Sequence, residues 1–84
     1  MVTHTRRREI KDEIDQLKEE RQQYRDEIPG LKEAQREHYR FSRTRAGRHV
    51  GYQGGDTDRR LNTVFEQISN INEKLNRLYA ELKS

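Results

Sequence analysis

Residues 61–82 read LNTVFEQISNINEKLNRLYAEL, and this stretch decides the fold. Apolar side chains recur in it at alternating spacings of three and four residues, namely Leu61, Val64, Ile68, Ile71, Leu75, Leu78 and Leu82. Such a repeat, with a period of about 3.5, places them along one side of a coiled-coil helix. Asp56 and Asp58, just before it, suit the capping of a helix N-terminus and its dipole. The pattern predicts a coiled-coil helix over residues 57–83, and Phe65 and Tyr79 widen its stripe as a second packing neighbour would require.

The N-terminal half repeats this spacing from Ile10 to His38, with polar residues at some positions of the stripe. Such polar positions, here Arg21, Gln35 and His38, typically set the register of a partner helix. Pro29-Gly30 lies inside the stripe, and a proline within a helix costs about 3 kcal/mol. Two outcomes fit: a kinked continuous helix, or a helix over 5–28 followed by a second one that begins at Pro29. We predict helix over 5–28 and a kinked continuation or second helix over 29–43.

Two apolar stripes of similar length, separated by residues 44–56, predict an all-α fold within one domain, residues 1–84. The expected architecture is an elongated helical hairpin or coiled coil with a Gly/Arg-rich loop as connector. The pattern leaves the relative direction of the helices open. The charged content of 39% and the hydrophobic content of 29% would also fit disorder, but the periodicity argues against it.

Two narrow stripes bury little apolar surface. The free energy gained by that burial is small compared with the entropy cost of ordering the chain. We therefore expect a homo-oligomer, most simply a dimeric four-helix bundle, although an obligate partner protein would serve equally well. The predicted oligomerisation residues are Ile10, Ile14, Leu17, Ile28, Leu31, Leu61, Val64, Ile68, Ile71, Leu75, Leu78 and Leu82.

The positive charge concentrates in the middle of the chain. Net charge is +3, yet residues 29–55 hold six basic and two acidic side chains while both flanks are nearly balanced. Arginine binds phosphate and carboxylate through two parallel hydrogen bonds and stacks on flat rings. The candidate polyanion-binding residues are Arg36, Arg40, Arg43, Arg45, Arg48, Arg59 and Arg60, with Tyr39, Phe41 and Tyr52 as stacking groups or partner anchors. If all seven arginines met duplex phosphates, the log–log salt slope of binding would be about −6.

Three interpretations of this segment stay open: a solvated loop, a surface that docks on an acidic protein (including a neighbouring copy of this chain), and a nucleic-acid site. Our first hypothesis is a non-enzymatic, self-associating coiled-coil protein whose arginine segment binds a polyanion, most simply nucleic acid. The alternative is a protein-binding assembly factor, adaptor or inhibitor that docks the segment on an acidic partner. No zinc-finger, RNA-recognition or compact helix-turn-helix pattern is present.

Other chemistries have little support. The chain has no cysteine, and His4, His38 and His49 lie far apart without companions at metal-ligand spacing. The glycines match neither a dinucleotide-binding nor a P-loop pattern. We therefore expect no enzyme activity, metal or cofactor. No apolar run approaches the roughly 20 residues that span a bilayer, and the N-terminus does not resemble a secretory signal. We expect a protein of the cytoplasm, or of a viral particle assembled there, with no membrane contact.

Overall fold

The computed structural model describes residues 3–84, which form three α-helices. They are α1 (His4–Ser42), α2 (Arg45–Val50) and α3 (Gly55–Lys83), and no strand occurs within this range. The molecule is a rod of 65 × 15 × 13 Å. The prediction of an elongated all-α fold is confirmed. Within the same range, no helix is both long and apolar enough to cross a membrane.

The first helix runs unbroken through Pro29, so the alternative of a second helix beginning there is wrong. Thr3 caps its start, where the hydroxyl accepts a hydrogen bond from the Arg6 amide at 3.1 Å. Pro29 is exposed, whereas Ile28 and Leu31 on either side of it are half-buried. Because the apolar stripe keeps its register across the proline, packing on both sides holds the helix together despite the local penalty.

The third helix begins at Gly55, two residues before the predicted start. Gly54 occupies the N-cap position, and no side chain of residues 3–84 accepts a hydrogen bond from the first amides of the helix as a cap. The predicted carboxylate cap is therefore wrong. Asp56 and Asp58 lie instead in the first turn, where their charges favour the positive end of the helix dipole.

The first and third helices lie side by side in opposite directions. Arg6, near the start of α1, contacts Glu81, near the end of α3, at 2.9 Å between Nε and Oε1. A core of buried apolar side chains lies between the two helices and is formed by Ile10, Ile14, Ile71 and Leu75. Leu61 and Val64 are also buried, closer to the start of α3.

The predicted oligomerisation residues therefore divide into two groups. Six are buried within the single chain: Ile10, Ile14, Leu61, Val64, Ile71 and Leu75. The other six are only half-buried: Leu17, Ile28, Leu31, Ile68, Leu78 and Leu82. The two stripes thus pack against each other in one chain and leave part of their apolar surface uncovered.

Polar residues of the first stripe make specific contacts with the other half of the molecule. Arg21 Nη1 donates a hydrogen bond to Asn72 Oδ1 at 2.7 Å, and Gln35 Nε2 donates one to Asp58 Oδ1 at 2.8 Å. Both pairs join α1 to α3. Because a hydrogen-bonded pair tolerates little sliding, these contacts fix the register of the two helices.

The predicted loop over residues 44–56 contains the short helix α2, so the loop prediction is wrong for Arg45–Val50. The Thr44 hydroxyl caps this helix by accepting from the Gly47 amide at 3.0 Å, and Gly51 ends it with a φ of 76°. Gly47 is buried, and a Cβ atom there would overlap the carbonyl group of Phe41. The backbone of α2 therefore packs directly on the end of α1.

Candidate polyanion-binding tip

Four of the predicted arginines lie together at one end of the rod, and we call Arg40, Arg43, Arg45 and Arg48 the arginine tip. Arg40 belongs to the last turn of α1, Arg43 follows that helix as its C-cap, and the other two lie on α2. All four are exposed. None makes an ion pair or a side-chain hydrogen bond with another residue in the range 3–84. Their charges are therefore available to an external ligand.

The other three predicted arginines have acidic partners within the chain. Arg36 contacts Glu33 at 2.7 Å and Arg59 contacts Asp56, both exposed pairs on single helices. Arg60 binds the Glu27 carboxylate.

The bond from Arg60 to Glu27 links α3 to α1. The guanidinium donates to both carboxylate oxygens at 2.7–3.0 Å and lies 6.0 Å from the centre of the Tyr24 ring. The hydrogen bonds to Glu27 raise the pKa of Arg60. Glu27 is about 20 Å from Arg40 along α1, at 1.5 Å per residue. Arg60 thus stabilises the helix pair and lies far from the arginine tip.

Arg36 nonetheless borders the arginine tip. Together with Tyr39, Arg40 and Arg43 it lines an open groove along the last turns of α1. Arginines at positions i, i+4 and i+7 share one face of a helix. The groove therefore presents a row of three guanidinium groups with an aromatic ring among them.

Two of the predicted stacking residues stack on each other. The ring centres of Tyr39 and Tyr52 lie 4.7 Å apart at an interplanar angle of 22°, and the His38 and Tyr52 rings pack edge to face with their centres 6.2 Å apart. Tyr39 is 50% exposed and Tyr52 is 37% exposed, so each ring keeps accessible surface. The pair connects the end of α1 to the segment that leads into α3.

The hydroxyl of Tyr52 is held by an acid of the third helix. It donates to Asp58 Oδ1 at 2.9 Å, the same oxygen that accepts from Gln35. Desolvation, together with this hydrogen bond and the negative charge of Asp58, raises the pKa of Tyr52 to about 12. Periodicity gave no sign of this contact, since it joins a residue outside the heptads to a first-turn carboxylate.

Apolar groups complete the end of the rod. Phe41, a predicted anchor, is 43% exposed, and Val50, which was not predicted as an anchor, is 57% exposed. The Phe41 carbonyl accepts from the amide and the hydroxyl of Thr44 at 2.9 and 2.6 Å, which fixes the turn between α1 and α2. The arginine tip is thus flanked by exposed apolar side chains.

Such an arrangement suits binding to an extended anionic surface. It offers guanidinium donors, which pair with phosphate or carboxylate oxygens, beside partly exposed aromatic rings. In the described part of the chain, no cluster of three or more His, Asp or Glu side chains could hold a metal ion. Comparisons of the chain with protein-family models, with curated proteins and with solved structures find no match.

Proposed function

We propose that this protein is a non-enzymatic, self-associating coiled-coil protein whose arginine tip binds a polyanion. Nucleic acid is the first candidate for that polyanion. One observation carries the proposal: four exposed arginines without an ion pair in residues 3–84 cluster at one end of the rod, in a stretch that has no acidic residue between Glu37 and Asp56. A cluster of unpaired like charges gains most when a ligand of opposite charge neutralises it and releases counterions.

Nucleic acid is favoured over a small anion because the charged surface is extended and carries aromatic rings. The groove beside Arg36 continues the arginine tip along α1, and the Tyr39 ring lies within it. Proteins that bind single strands combine a basic groove with rings on which bases stack. Exposed faces of Tyr39 and Tyr52 could serve in this way without any change in the backbone.

For the architecture we propose a helical hairpin of coiled-coil type that assembles into a dimeric four-helix bundle. Support comes from the apolar surface that α1 and α3 leave uncovered in one chain. Leu17 of α1 and Leu78 of α3 are only half-buried and line one face of the helix pair. A second helix pair would cover such surface, which is how four-helix bundles complete their cores.

Fluorescence anisotropy of labelled single- and double-stranded oligonucleotides tests the proposed binding. The test variant replaces the arginine tip by glutamine, which preserves helix propensity. A matched control removes four other exposed basic side chains that make no ion pair within residues 3–84: Arg7, Arg8, Lys11 and Arg25.

We expect the tip variant to lose binding at physiological salt while the control, which has the same net charge, keeps most of it. Four phosphate contacts per copy predict a log–log salt slope of about −3.6 on duplex and about −2.8 on single strands. Equal losses in both variants would mean that net charge alone drives binding, and the site assignment would then be wrong.

An acidic partner protein is the second candidate, and the exposure of Phe41 and Val50 favours it. Apolar anchors beside arginine are typical of protein interfaces. Under this alternative, oligonucleotides would bind only at low salt. A synthetic acidic polypeptide with interspersed leucines would then bind at physiological salt, and Phe41→Ser would weaken that binding.

A further inference from the structure

One face of the helix pair carries an open groove with apolar residues and opposite charges on its two edges. Leu17 and Leu78 are its apolar lining residues. Glu13 and Glu20 of α1 lie along one edge, and Lys74 and Arg77 of α3 lie along the other. All four charged side chains are exposed, and Glu20, Lys74 and Arg77 make no ion pair within residues 3–84.

The acidic and basic edges lie at the same height on the rod. Arg6 contacts Glu81, and Arg21 contacts Asn72, so residues 10–16 of α1 are level with position 77 of α3. Glu13 is therefore level with Arg77 on the opposite side of the groove. A face with this pattern is complementary to itself, which an isologous interface requires.

Two copies can face each other across this groove in two symmetric ways. With a two-fold axis perpendicular to the rod, α1 faces α1 of the other copy, so acid meets acid. With the axis parallel to the rod, α1 faces α3 of the other copy, so the acidic edge meets the basic edge at matched height. Like-charge contacts disfavour the first arrangement and opposite charges favour the second.

We propose that two copies pair across this groove about an axis parallel to the rod, with both arginine tips at the same end. This inference rests on the self-association in the proposed function and adds the face and orientation that the assembly uses. The dimer then presents eight tip arginines to one ligand, and a single chain holds only half of the site. In such a dimer both copies bind the same polyanion, which raises the avidity of binding. The dimer does not bridge two polyanions.

Distances between spin labels distinguish the two orientations. The chain contains no cysteine, so Gln53→Cys gives one label per copy, on the exposed segment that leads into α3. Neighbouring helices of a bundle are about 8–10 Å apart, so the proposed orientation predicts labels within about 35 Å of each other. Gln53 follows Tyr52, which stacks on Tyr39, about 35 Å along the rod from the groove at 1.5 Å per residue. The perpendicular axis therefore predicts a separation of roughly 70 Å.

A separation near 70 Å, or a monomeric mass in sedimentation at the same protein concentration, would overturn the inference. The salt-dependent binding test above does not use the orientation. A protein that binds oligonucleotides through its tip but shows the long distance would therefore refute the orientation and leave the proposed function standing.

Charge reversal provides the matched variants. Lys74→Glu with Arg77→Glu makes both edges of the groove acidic and should weaken the dimer by roughly tenfold, because the attractive contacts across the interface become repulsive. Adding Glu13→Lys and Glu20→Lys exchanges the edges and should restore the dimer. All four positions are exposed, so circular dichroism should show unchanged helix content. A double variant that dimerises as well as the unmodified chain would also overturn the inference.

Discussion

Replacement of Gly47 by alanine distinguishes two opposite predictions for stability, one from helix propensity and one from the packing of α2 on α1. Propensity alone predicts that alanine in α2 stabilises it by about 1 kcal/mol. In the structure, a Cβ atom at this position would overlap the Phe41 carbonyl and the Ser42 Cα, which are backbone atoms of the last turn of α1. Such atoms cannot rotate aside as a flexible side chain would. The structure therefore predicts the opposite sign.

The size of the destabilisation depends on the few contacts that hold α2 in place. Overpacking against fixed atoms costs about 1–3 kcal/mol, and helices shorter than about 12 residues are marginal on their own. Gly47→Ala should therefore release α2 from the end of α1. The Gly51 amide, which donates to the Gly47 carbonyl at 2.8 Å, should lose its protection from hydrogen exchange. Because Arg45 and Arg48 lie on this helix, polyanion binding should weaken as well.

Gly30→Ala is the matched control. Gly30 is exposed on α1, and a Cβ atom there would meet nothing within 4 Å. It should raise stability by about 1 kcal/mol, which for a domain of this size is about 4–8 °C in Tm. Both variants are compared at one protein concentration, because assembly makes Tm depend on it. If Gly47→Ala raised Tm as much as the control and kept the Gly51 amide protected, the tight packing of α2 would be refuted.

Two further predictions concern pH. The hydrogen bonds from Arg6 lower the pKa of Glu81, so the stability from this pair is present above the ordinary glutamate pKa and is lost as pH falls through the lowered value. Glu81→Gln should therefore flatten the loss of Tm toward acid pH, and Glu66→Gln, at an exposed carboxylate, should not. The pKa of Tyr52 is raised to about 12, so its contribution is complete below about pH 10 and is lost as pH rises through 12. Near-ultraviolet absorbance should show one tyrosine ionising late, and Asp58→Asn should shift that ionisation to lower pH.

The helices were predictable because the heptad signal is redundant. Seven positions of one spacing support α3, so no single residue decides its existence, and the same spacing continues through α1. The Pro29 alternative was not decidable from the sequence, because a local penalty competes there with apolar contacts on both sides. Only the packed structure shows that the contacts prevail, since Ile28 and Leu31 remain half-buried on either side of the proline.

The short helix could not be predicted, because six residues with a central glycine carry no periodicity. It forms through the Thr44 cap and its packing on Phe41, both of which depend on where α1 ends. The sequence predicts Arg60 as a polyanion-binding residue because it closely follows the arginine-rich segment. The antiparallel pairing places it against Glu27. In an antiparallel helix pair, closeness in sequence does not predict which side chains are close in space.

Within residues 3–84, the arginine tip has no acidic side chain of its own chain to neutralise its charge. No acidic residue occurs between Glu37 and Asp56, and Glu37 makes no ion pair with the tip arginines. Asp56 is engaged by Arg59, while the carboxylate of Asp58 accepts from Gln35 and Tyr52. Within the described chain, the counter-charge for four guanidinium groups must therefore come from outside, from solvent ions or from a ligand. A polyanion that displaces those ions gains their release entropy, which makes this end of the rod the place where ionic strength should control binding.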